Sequence, residues 1–204
     1  MAVEIVQPRL LVVEGKEDEM FFGALMRHLA IDGIQPISLQ GKNNYRSGLK
    51  ALTLSPGFNE VVSLGIVRDA DADAQSAFQS VCDALKNANL PVPTAPLQLA
   101  GEKPRVAVII LPGGNQPGTV EDLCLRAFAH DTAMHCVDQY FECLQRRQEN
   151  YSPPSNMSKA RIQVYLASRP RAGLRLEEAA EAGYIPWQNR AFDEVKLFLH
   201  QVAS

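Results

Sequence analysis

Acidic residues follow two apolar segments of this chain in patterns that metal-dependent phosphate chemistry uses. Residues 10–13 are apolar and lead into Glu14, and the apolar residues 61–67 lead into Asp69 and Asp71. In an extended chain residues i and i+2 face the same way, so Asp69 and Asp71 are expected to project together. Crowded carboxylates repel one another unless a cation sits among them, and hard oxygen ligands select Mg²⁺ or Mn²⁺. The pattern therefore predicts a divalent metal site.

Two further acids are candidates for the same site. Asp18 lies in the opening turn of the first helix, and Glu121 lies near the start of a helix in the second half of the chain. The alternative for an acid near a helix start is stabilisation of the helix dipole, which we favour for Asp73. Thr119 and Asp122 have the spacing of a capping box, which leaves Glu121 free to point into a cleft.

The elements that must position these acids alternate between strands and helices. We predict strands at residues 10–13, 37–39, 61–67 and 106–111, and helices at 17–31, around 49–52, 74–88, from about 119, and at 133–147, 156–168 and 191–202. This alternation predicts an α/β fold, Rossmann-like, with a mainly parallel sheet flanked by helices. Ligands of such sheets bind beyond the carboxyl ends of the strands, where all the acids would meet. We expect one domain over residues 1–204, with its core at about 9–125 and a helical C-terminal extension at about 126–204.

Composition limits the class of protein. Of the 204 residues 46% are apolar and 21% charged, which suits a folded globular domain. The N-terminal sequence has no basic region typical of a signal peptide, and no apolar run reaches the roughly 18 residues that a membrane span needs, so we expect a cytoplasmic protein without membrane contact. The four cysteines form no C-x-x-C pair. Cys136 and Cys143 are seven apart, which predicts two small core residues on one helix face.

Charge is distributed unevenly along the chain. The net charge is −3, yet residues 145–175 carry seven basic residues against one acid, giving +6 there and −9 elsewhere. Such asymmetry is typical of a face that meets a polyanion, and a solvated helical surface is the alternative. The candidate contacts to backbone phosphates are Lys42, Arg46 and Arg68. The alternative is that these three residues are ordinary surface charges.

The acidic motifs resemble those of the Toprim domain, the catalytic module of DnaG-type primases, type IA and II topoisomerases and OLD-family nucleases. The resemblance lies in Val13-Glu14-Gly15 and Asp69-Ala70-Asp71, and the acid Asp18, four residues after Glu14, is most similar to the OLD type. It covers residues 9–125, and beyond residue 153 only Lys159 resembles the family's downstream lysine. The whole chain also resembles a family of small, stand-alone bacterial Toprim proteins.

The resemblance implies particular roles for these residues. Glu14, Asp69 and Asp71 would bind the principal metal, Asp18 and Glu121 a second one, and Glu14 and Lys159 would be catalytic. The implied activity is Mg²⁺- or Mn²⁺-dependent phosphodiester hydrolysis of nucleic acid, as in OLD-like nucleases. We expect DNA rather than RNA as the substrate.

Two alternatives to a nuclease stay open. One is a non-hydrolytic Toprim module that binds nucleotide or nucleic acid or regulates a partner, which the acidic pI of about 5.8 favours. The other is a small-molecule phosphate enzyme, which would need a deep enclosed pocket. The chain contains no G-x-x-x-x-G-K-[ST] motif, so the ATPase that accompanies OLD-type domains is either supplied by a partner protein or dispensable.

Overall fold

The computed structural model describes residues 4–147 and 149–204. In this part of the chain four parallel strands form one sheet in the order β2–β1–β3–β4, with β1 at Arg9–Val13, β2 at Ile34–Ser38, β3 at Ser63–Asp69 and β4 at Arg105–Leu111. The α-helices are α1 (Lys16–His28), α2 (Tyr45–Thr53), α3 (Ala74–Asn87), α4 (Val120–Phe128), α5 (Thr132–Arg147), α6 (Met157–Ala167), α7 (Leu176–Glu181) and α8 (Asp193–Ala203). The predicted α/β class with a parallel sheet flanked by helices is confirmed.

An edge strand and a short helix show departures from the sequence prediction. The edge strand β2 begins three residues earlier than expected, and it includes Pro36, a residue that edge strands tolerate. Helix α7 was not predicted, because its six residues are too few to show a helical period.

The alternation of side chains along the strands divides the core into two layers. On one face, Leu11 and Val13 of β1 pack with the buried side of α1 and with α4 to α8. On the other face, Leu10 and Val12 pack with α2 and α3. Both faces are therefore covered, as continuous apolar strands require in a parallel sheet.

The last helix, α8, lies directly on the sheet, against β1, β3 and β4. Gly65 in the middle of β3 makes this close approach feasible, because a Cβ there would lie 2.6 Å from Val202 Cγ2 and 3.0 Å from Phe198 Cζ. Val202 and Phe198 are themselves fully buried. The carboxyl-terminal helix is thus part of the core layer that also contains α1.

Helix α5 corrects one prediction. Cys136 and Cys143 do share a face, but both are exposed. The buried side chains of α5 are Met134 and Val137, so its cysteine face points to solvent. Spacing alone identified a common face and could not tell which way that face is turned.

Every described helix, α5 included, is too short or too polar to cross a lipid bilayer.

We predict that Gly65→Ala lowers the free energy of unfolding by about 1–3 kcal/mol, because the added methyl group overpacks the contact between β3 and α8. Denaturant unfolding measures this change. Gly23→Ala is the matched control: its Cβ would be 3.6 Å from Arg27 Nη1, an ordinary contact, so replacing a helix-interior glycine of α1 should stabilise by roughly 1 kcal/mol. In the double variant Gly65→Ala, Val202→Ala the loss of unfolding free energy should be smaller than the sum of the losses in the two single variants, because Val202→Ala removes the methyl group that the new Cβ would meet. A loss equal to that sum would contradict the packing argument.

Candidate metal centre

The ends of the two central strands bring the first acids together. Glu14 directly follows β1 and Asp69 is the last residue of β3. These strands pair in parallel, with Val12 opposite Ile66, so both acids lie at the same carboxyl edge of the sheet. This placement follows from the topology that the sequence predicted.

Carboxylates from several elements line one cleft at this edge. The cleft has a volume of about 440 Å³ and opens to solvent. The acidic residues that line it are Glu14, Glu17, Asp18, Asp69, Glu121 and Glu177. Four of the five predicted metal-ligand residues therefore share one cleft, and the fifth, Asp71, is absent from its lining.

Asp18 connects the start of α1 to this cleft. Its Oδ2 accepts a hydrogen bond of 2.9 Å from the backbone N–H of Gly15 and so caps the helix. The pKa of Asp18 is raised to about 6, mainly by burial; the Gly15 hydrogen bond opposes this shift, and the charges of Glu14, Glu121 and Glu17 contribute to it. Asp18 is thus both a helix cap and an ionisable group of the cleft.

Asp69 is the most enclosed acid of the set. Burial raises its pKa well above the usual range, with added repulsion from Asp18, Glu14 and Glu121. Its Oδ1 accepts a 3.1 Å hydrogen bond from the backbone N–H of Val120, the first residue of α4. A carboxylate with so little compensating charge holds a proton or binds a cation.

Glu14 is compensated by an internal arginine. Arg68, whose side chain is only 10% exposed, donates from Nη1 to Glu14 Oε1 and lies 5.3 Å from the centre of the Tyr45 ring. Burial still raises the pKa of Glu14, while the positive charge of Arg68 opposes that shift. Arg68, predicted as a phosphate contact, is therefore bound to the carboxylates of the candidate site.

Asp71 takes a different direction from Asp69. Strand β3 ends at Asp69, and Asp71 has a φ of +51°, so the extended alternation expected for the pair does not apply. Backbone hydrogen bonds between Asp71 and Gly118, of 3.0 and 2.8 Å, hold this turn against the loop before α4. The Asp71 carboxylate faces Lys42 Nζ at 3.1 Å and Arg68 Nη2 at 3.6 Å.

Helix α4 begins as its sequence predicts. Asp122 Oδ2 accepts a hydrogen bond from the Thr119 backbone N–H at 2.8 Å, which completes the capping box. Gly118 leaves room for it, because a Cβ there would lie 2.7 Å from the Asp122 carboxylate. Glu121 accepts a 2.7 Å hydrogen bond from the Thr119 hydroxyl and lines the cleft.

Asp73 likewise caps α3, accepting from the backbone N–H groups of Gln75 and Ser76.

Lys159 lies beside the cleft in a smaller cavity. That cavity, of about 70 Å³, is also lined by Glu17, Glu121, Arg175 and Glu177. Lys159 Nζ is 4.0 Å from Glu17 Oε2, and Arg175 Nη1 is 3.2 Å from Glu17 Oε1. The helix α6 that carries Lys159 thus reaches the acidic edge of the sheet.

Glu17 and Glu177 are acids of the site that sequence reasoning missed. Glu177 is 3% exposed and its Oε1 lies 3.0 Å from Arg175 Nε. It lies on α7, the helix without a sequence signal, and nothing in its surroundings in the chain distinguishes it from a surface glutamate. The signal for Glu17 was only its position next to Asp18.

Basic residues are divided between two places. Lys42, Arg46 and Arg68 line a groove of about 540 Å³ on the opposite side of the sheet edge, at α2 and α3. Several arginines of the basic segment 145–175 are instead paired with acids from outside it: Arg146 with Glu142, Arg161 with Asp138, Arg169 with Asp131 and Arg175 with Glu17. The excess charge of that segment is therefore largely compensated within the fold.

The donor set fits a hard divalent cation in chemistry and in charge. All the side-chain donors are carboxylate oxygens, burial raises the pKa values of Glu14, Asp18 and Asp69, and a guanidinium already bridges Glu14 and Asp71. In residues 4–147 and 149–204 no three acidic, histidine or cysteine side chains stand together ready to hold a metal. A metal would require side-chain rotation and displacement of Arg68.

Fold and site together define an α/β protein with an acidic cleft at the carboxyl edge of a parallel sheet. The chain belongs to the family described as "Protein of unknown function (DUF3226)", which it matches over residues 8–204. No curated protein matches it in sequence.

Solved structures with a similar chain path are C-terminal regions of OLD proteins. For the one from Xanthomonas campestris pv. campestris the TM-score is 0.44 and the identity 14%, over 97% of this chain and 92% of that chain. For the one from Burkholderia pseudomallei the TM-score is 0.43 and the identity 12%, over 98% and 92%. Likeness at this level concerns the chain path alone and transfers no activity.

We predict that Asp18→Asn stabilises the metal-free protein at pH 7.5 by on the order of 1 kcal/mol and has little effect near pH 4. The folded-state pKa of Asp18, about 6, is above the value of about 4 for an unfolded aspartate, so its contribution to stability is complete below pH 4 and is lost as the pH rises through 6. Asparagine keeps an oxygen for the Gly15 N–H. Denaturant unfolding in EDTA at both pH values measures the difference, with the exposed Asp32→Asn as control; an effect independent of pH would contradict the argument.

Proposed function

We propose that this protein is a metal-dependent phosphoryl-transfer enzyme acting on nucleic acid, an OLD-like Toprim nuclease. The observation that carries the proposal is the convergence of Glu14, Asp18, Asp69 and Glu121, from four separate elements, on one cleft at the carboxyl edge of the sheet. The Toprim-like motifs around Glu14 and Asp69 support it independently of the fold comparison. The open cleft suits a polymer better than a small enclosed ligand.

Under this proposal each acid has a binding role. Glu14, Asp69 and Asp71 would hold the principal ion, and Asp18 and Glu121 a second. Bound there, Mg²⁺ or Mn²⁺ would supply a water of lowered pKa and neutralise charge on the phosphate. Because Asp18 and Asp69 have raised pKa values, they must release protons when they take a cation, so metal affinity should increase with pH.

Lys159 is the proposed electrostatic partner of the phosphate. It shares its cavity with Glu121, and its amine is held 4.0 Å from Glu17. Asn156 caps the first turn of α6 by accepting from the Lys159 N–H at 2.8 Å, which fixes the start of the helix that carries the amine. An ammonium in this position can stabilise negative charge that develops on a phosphate in the cleft.

The setting follows from the same proposal. The substrate would be DNA rather than RNA, the protein would act in the cytoplasm, and an ATPase would be its protein partner. Arg46, together with Lys42 and Arg68, would contact backbone phosphates outside the cleft.

One observation favours a second candidate, a non-hydrolytic module that binds nucleotide or nucleic acid or regulates a partner. Arg68 already neutralises Glu14 and Asp71, and the described residues contain no ready-made group of three ligands. Such a module would keep the acidic cleft, with Arg68 as the counterion of Glu14 and Asp71 whenever no metal is bound.

We predict that the wild type cleaves plasmid or single-stranded DNA in Mg²⁺ or Mn²⁺, and that Asp69→Asn lowers the rate by roughly 100-fold or more while the protein stays folded. Asparagine retains an oxygen for the Val120 N–H, so a folding defect is not expected. Gel assays measure cleavage and circular dichroism checks folding. Asp32→Asn, just before β2 at the opposite edge of the sheet, is the control and should cleave like the wild type.

Intact DNA with either metal would contradict the nuclease proposal. If calorimetry of the same wild-type sample still shows Mn²⁺ binding, the result favours the non-hydrolytic module that keeps the metal site. If no Mn²⁺ binds, Arg68 is the permanent counterion.

We predict that Lys159→Ala lowers kcat by about 100-fold without changing Mn²⁺ affinity, because the amine acts on the phosphate and not on the metal. Steady-state cleavage rates and calorimetry separate the two effects. Lys103→Ala, an exposed lysine that precedes β4 at the amino edge, removes the same charge away from the site. Unchanged turnover in Lys159→Ala would exclude the lysine from the mechanism.

A further inference from the structure

Arg68 and Lys42 each belong to two sites at once. Arg68 bonds Glu14 and lies 3.6 Å from Asp71, and Lys42 lies 3.1 Å from the same Asp71 oxygen. Both cations also line the groove at α2 and α3, on the side of the sheet edge away from the acidic cleft. Both cations therefore form ion pairs with the carboxylates that would bind the proposed metal.

The groove itself has the lining of a phosphate site. Its volume is about 540 Å³, and besides the two cations its polar lining comprises Asn43, Arg46, Ser76, Gln79, Ser80 and Asp83. Arg46 forms no ion pair with any side chain of the described residues. Asp83, the acid among these residues, lies 3.6 Å from Lys86. Ser76 and Gln79 already donate to Asp73 and Asp83, so the donors that the groove offers besides Arg46 are Asn43 and Ser80. One arginine beside an amide and a hydroxyl suits a phosphodiester.

We propose that this groove binds a phosphate of a nucleic-acid strand and that occupation of the acidic site by a divalent metal switches the groove on. A metal held by Glu14 and Asp71 removes the carboxylate partners of Arg68 and Lys42, and both side chains then face the groove with uncompensated charge. The inference rests on the proposed metal site and adds a coupling between metal and substrate strand that the nuclease proposal does not contain.

The surroundings of Arg68 limit where its charge can go. Its side chain is only 10% exposed, so a guanidinium without a carboxylate would be costly to leave unpaired. Tyr45, which stacks with it, is buried and anchored by a hydrogen bond from its hydroxyl to the Val67 carbonyl. Arg68 already lines the groove, so a phosphate bound there is in place to replace the lost carboxylate.

Coupling of this kind is reciprocal. If metal strengthens binding of the strand, the strand must strengthen binding of the metal by the same factor. Under this proposal metal and nucleic acid each bind weakly alone, and each binds more tightly when the other is present.

The test uses Asp71→Asn, which removes the charge of Asp71 without metal. The residue has a φ of +51°, a conformation that asparagine adopts as readily as aspartate, so the fold should be kept. In EDTA we expect the variant to bind a fluorescent, phosphorothioate single-stranded oligonucleotide about fivefold more tightly than the wild type, by anisotropy. The dependence of log Kd on log salt should steepen by roughly 0.7, the value for one added phosphate contact to a single strand.

Two matched variants separate the switch from a general charge effect. Asp83→Asn removes one negative charge from the same groove but touches neither Arg68 nor Lys42, so Mn²⁺ should tighten its oligonucleotide binding as much as it does for the wild type. Because Asp71 is itself a proposed metal ligand, Asp71→Asn is compared with Asp83→Asn in EDTA, where the gain in oligonucleotide affinity should be larger for Asp71→Asn. Arg46→Ala should weaken binding with and without Mn²⁺, since it removes a groove contact that the switch does not control.

Calorimetry with Mn²⁺ alone distinguishes failure of this inference from failure of the metal site. If the wild type binds Mn²⁺ but its oligonucleotide affinity does not change, or if Asp71→Asn behaves like Asp83→Asn, the switch is overturned and the metal site stands. If the wild type binds no Mn²⁺, the metal site is overturned and the switch with it.

Discussion

Burial of several carboxylates at the carboxyl edge of the sheet is the constraint on which this site depends. Glu14, Asp18 and Asp69 come from different elements, and burial in a shared cleft raises the pKa of each. The protein offsets the cost locally, with backbone N–H groups for Asp18 and Asp69 and a guanidinium for Glu14. These contacts leave part of the negative charge of the cleft uncompensated, and a divalent cation would neutralise it.

The sheet edge separates two electrostatic environments. The acidic cleft lies on the side covered by α1, α4 and α7, and the basic groove lies on the side of α2 and α3. The bond between Glu14 and Arg68 crosses from one to the other, and Asp71 reinforces it. The acidic pI of the chain is compatible with the proposed polyanion ligand, because Lys42, Arg46 and Arg68 are concentrated at one groove.

Particular elements show why the fold was easier to predict than the site. The strands β1, β3 and β4 are largely apolar runs, and the carboxyl ends of β1 and β3 are marked by acids, so the sequence indicated the edge where Glu14 and Asp69 meet. Glu177 could not be found, because its helix is only six residues long and its burial results from packing against α1. The sequence also does not show how far the charge of the basic segment 145–175 is paired: Asp131, Asp138 and Glu142, which precede it, form ion pairs with Arg169, Arg161 and Arg146.

The sequence by itself determined the α/β class, the parallel sheet and the identity of the acids that follow its strands, because hydrophobic period and strand-end composition are local properties. Tertiary structure alone decided the direction of each side chain: that Asp71 turns towards Lys42 while Asp69 faces α4, that Arg68 is an internal counterion, and that Cys136 and Cys143 face solvent. These outcomes depend on turn geometry and on pairs of residues far apart in the chain. Arg68 compensates Glu14 from 54 residues away and Lys42 compensates Asp71 from 29 residues away, so no single segment of the sequence contains both partners of either pair.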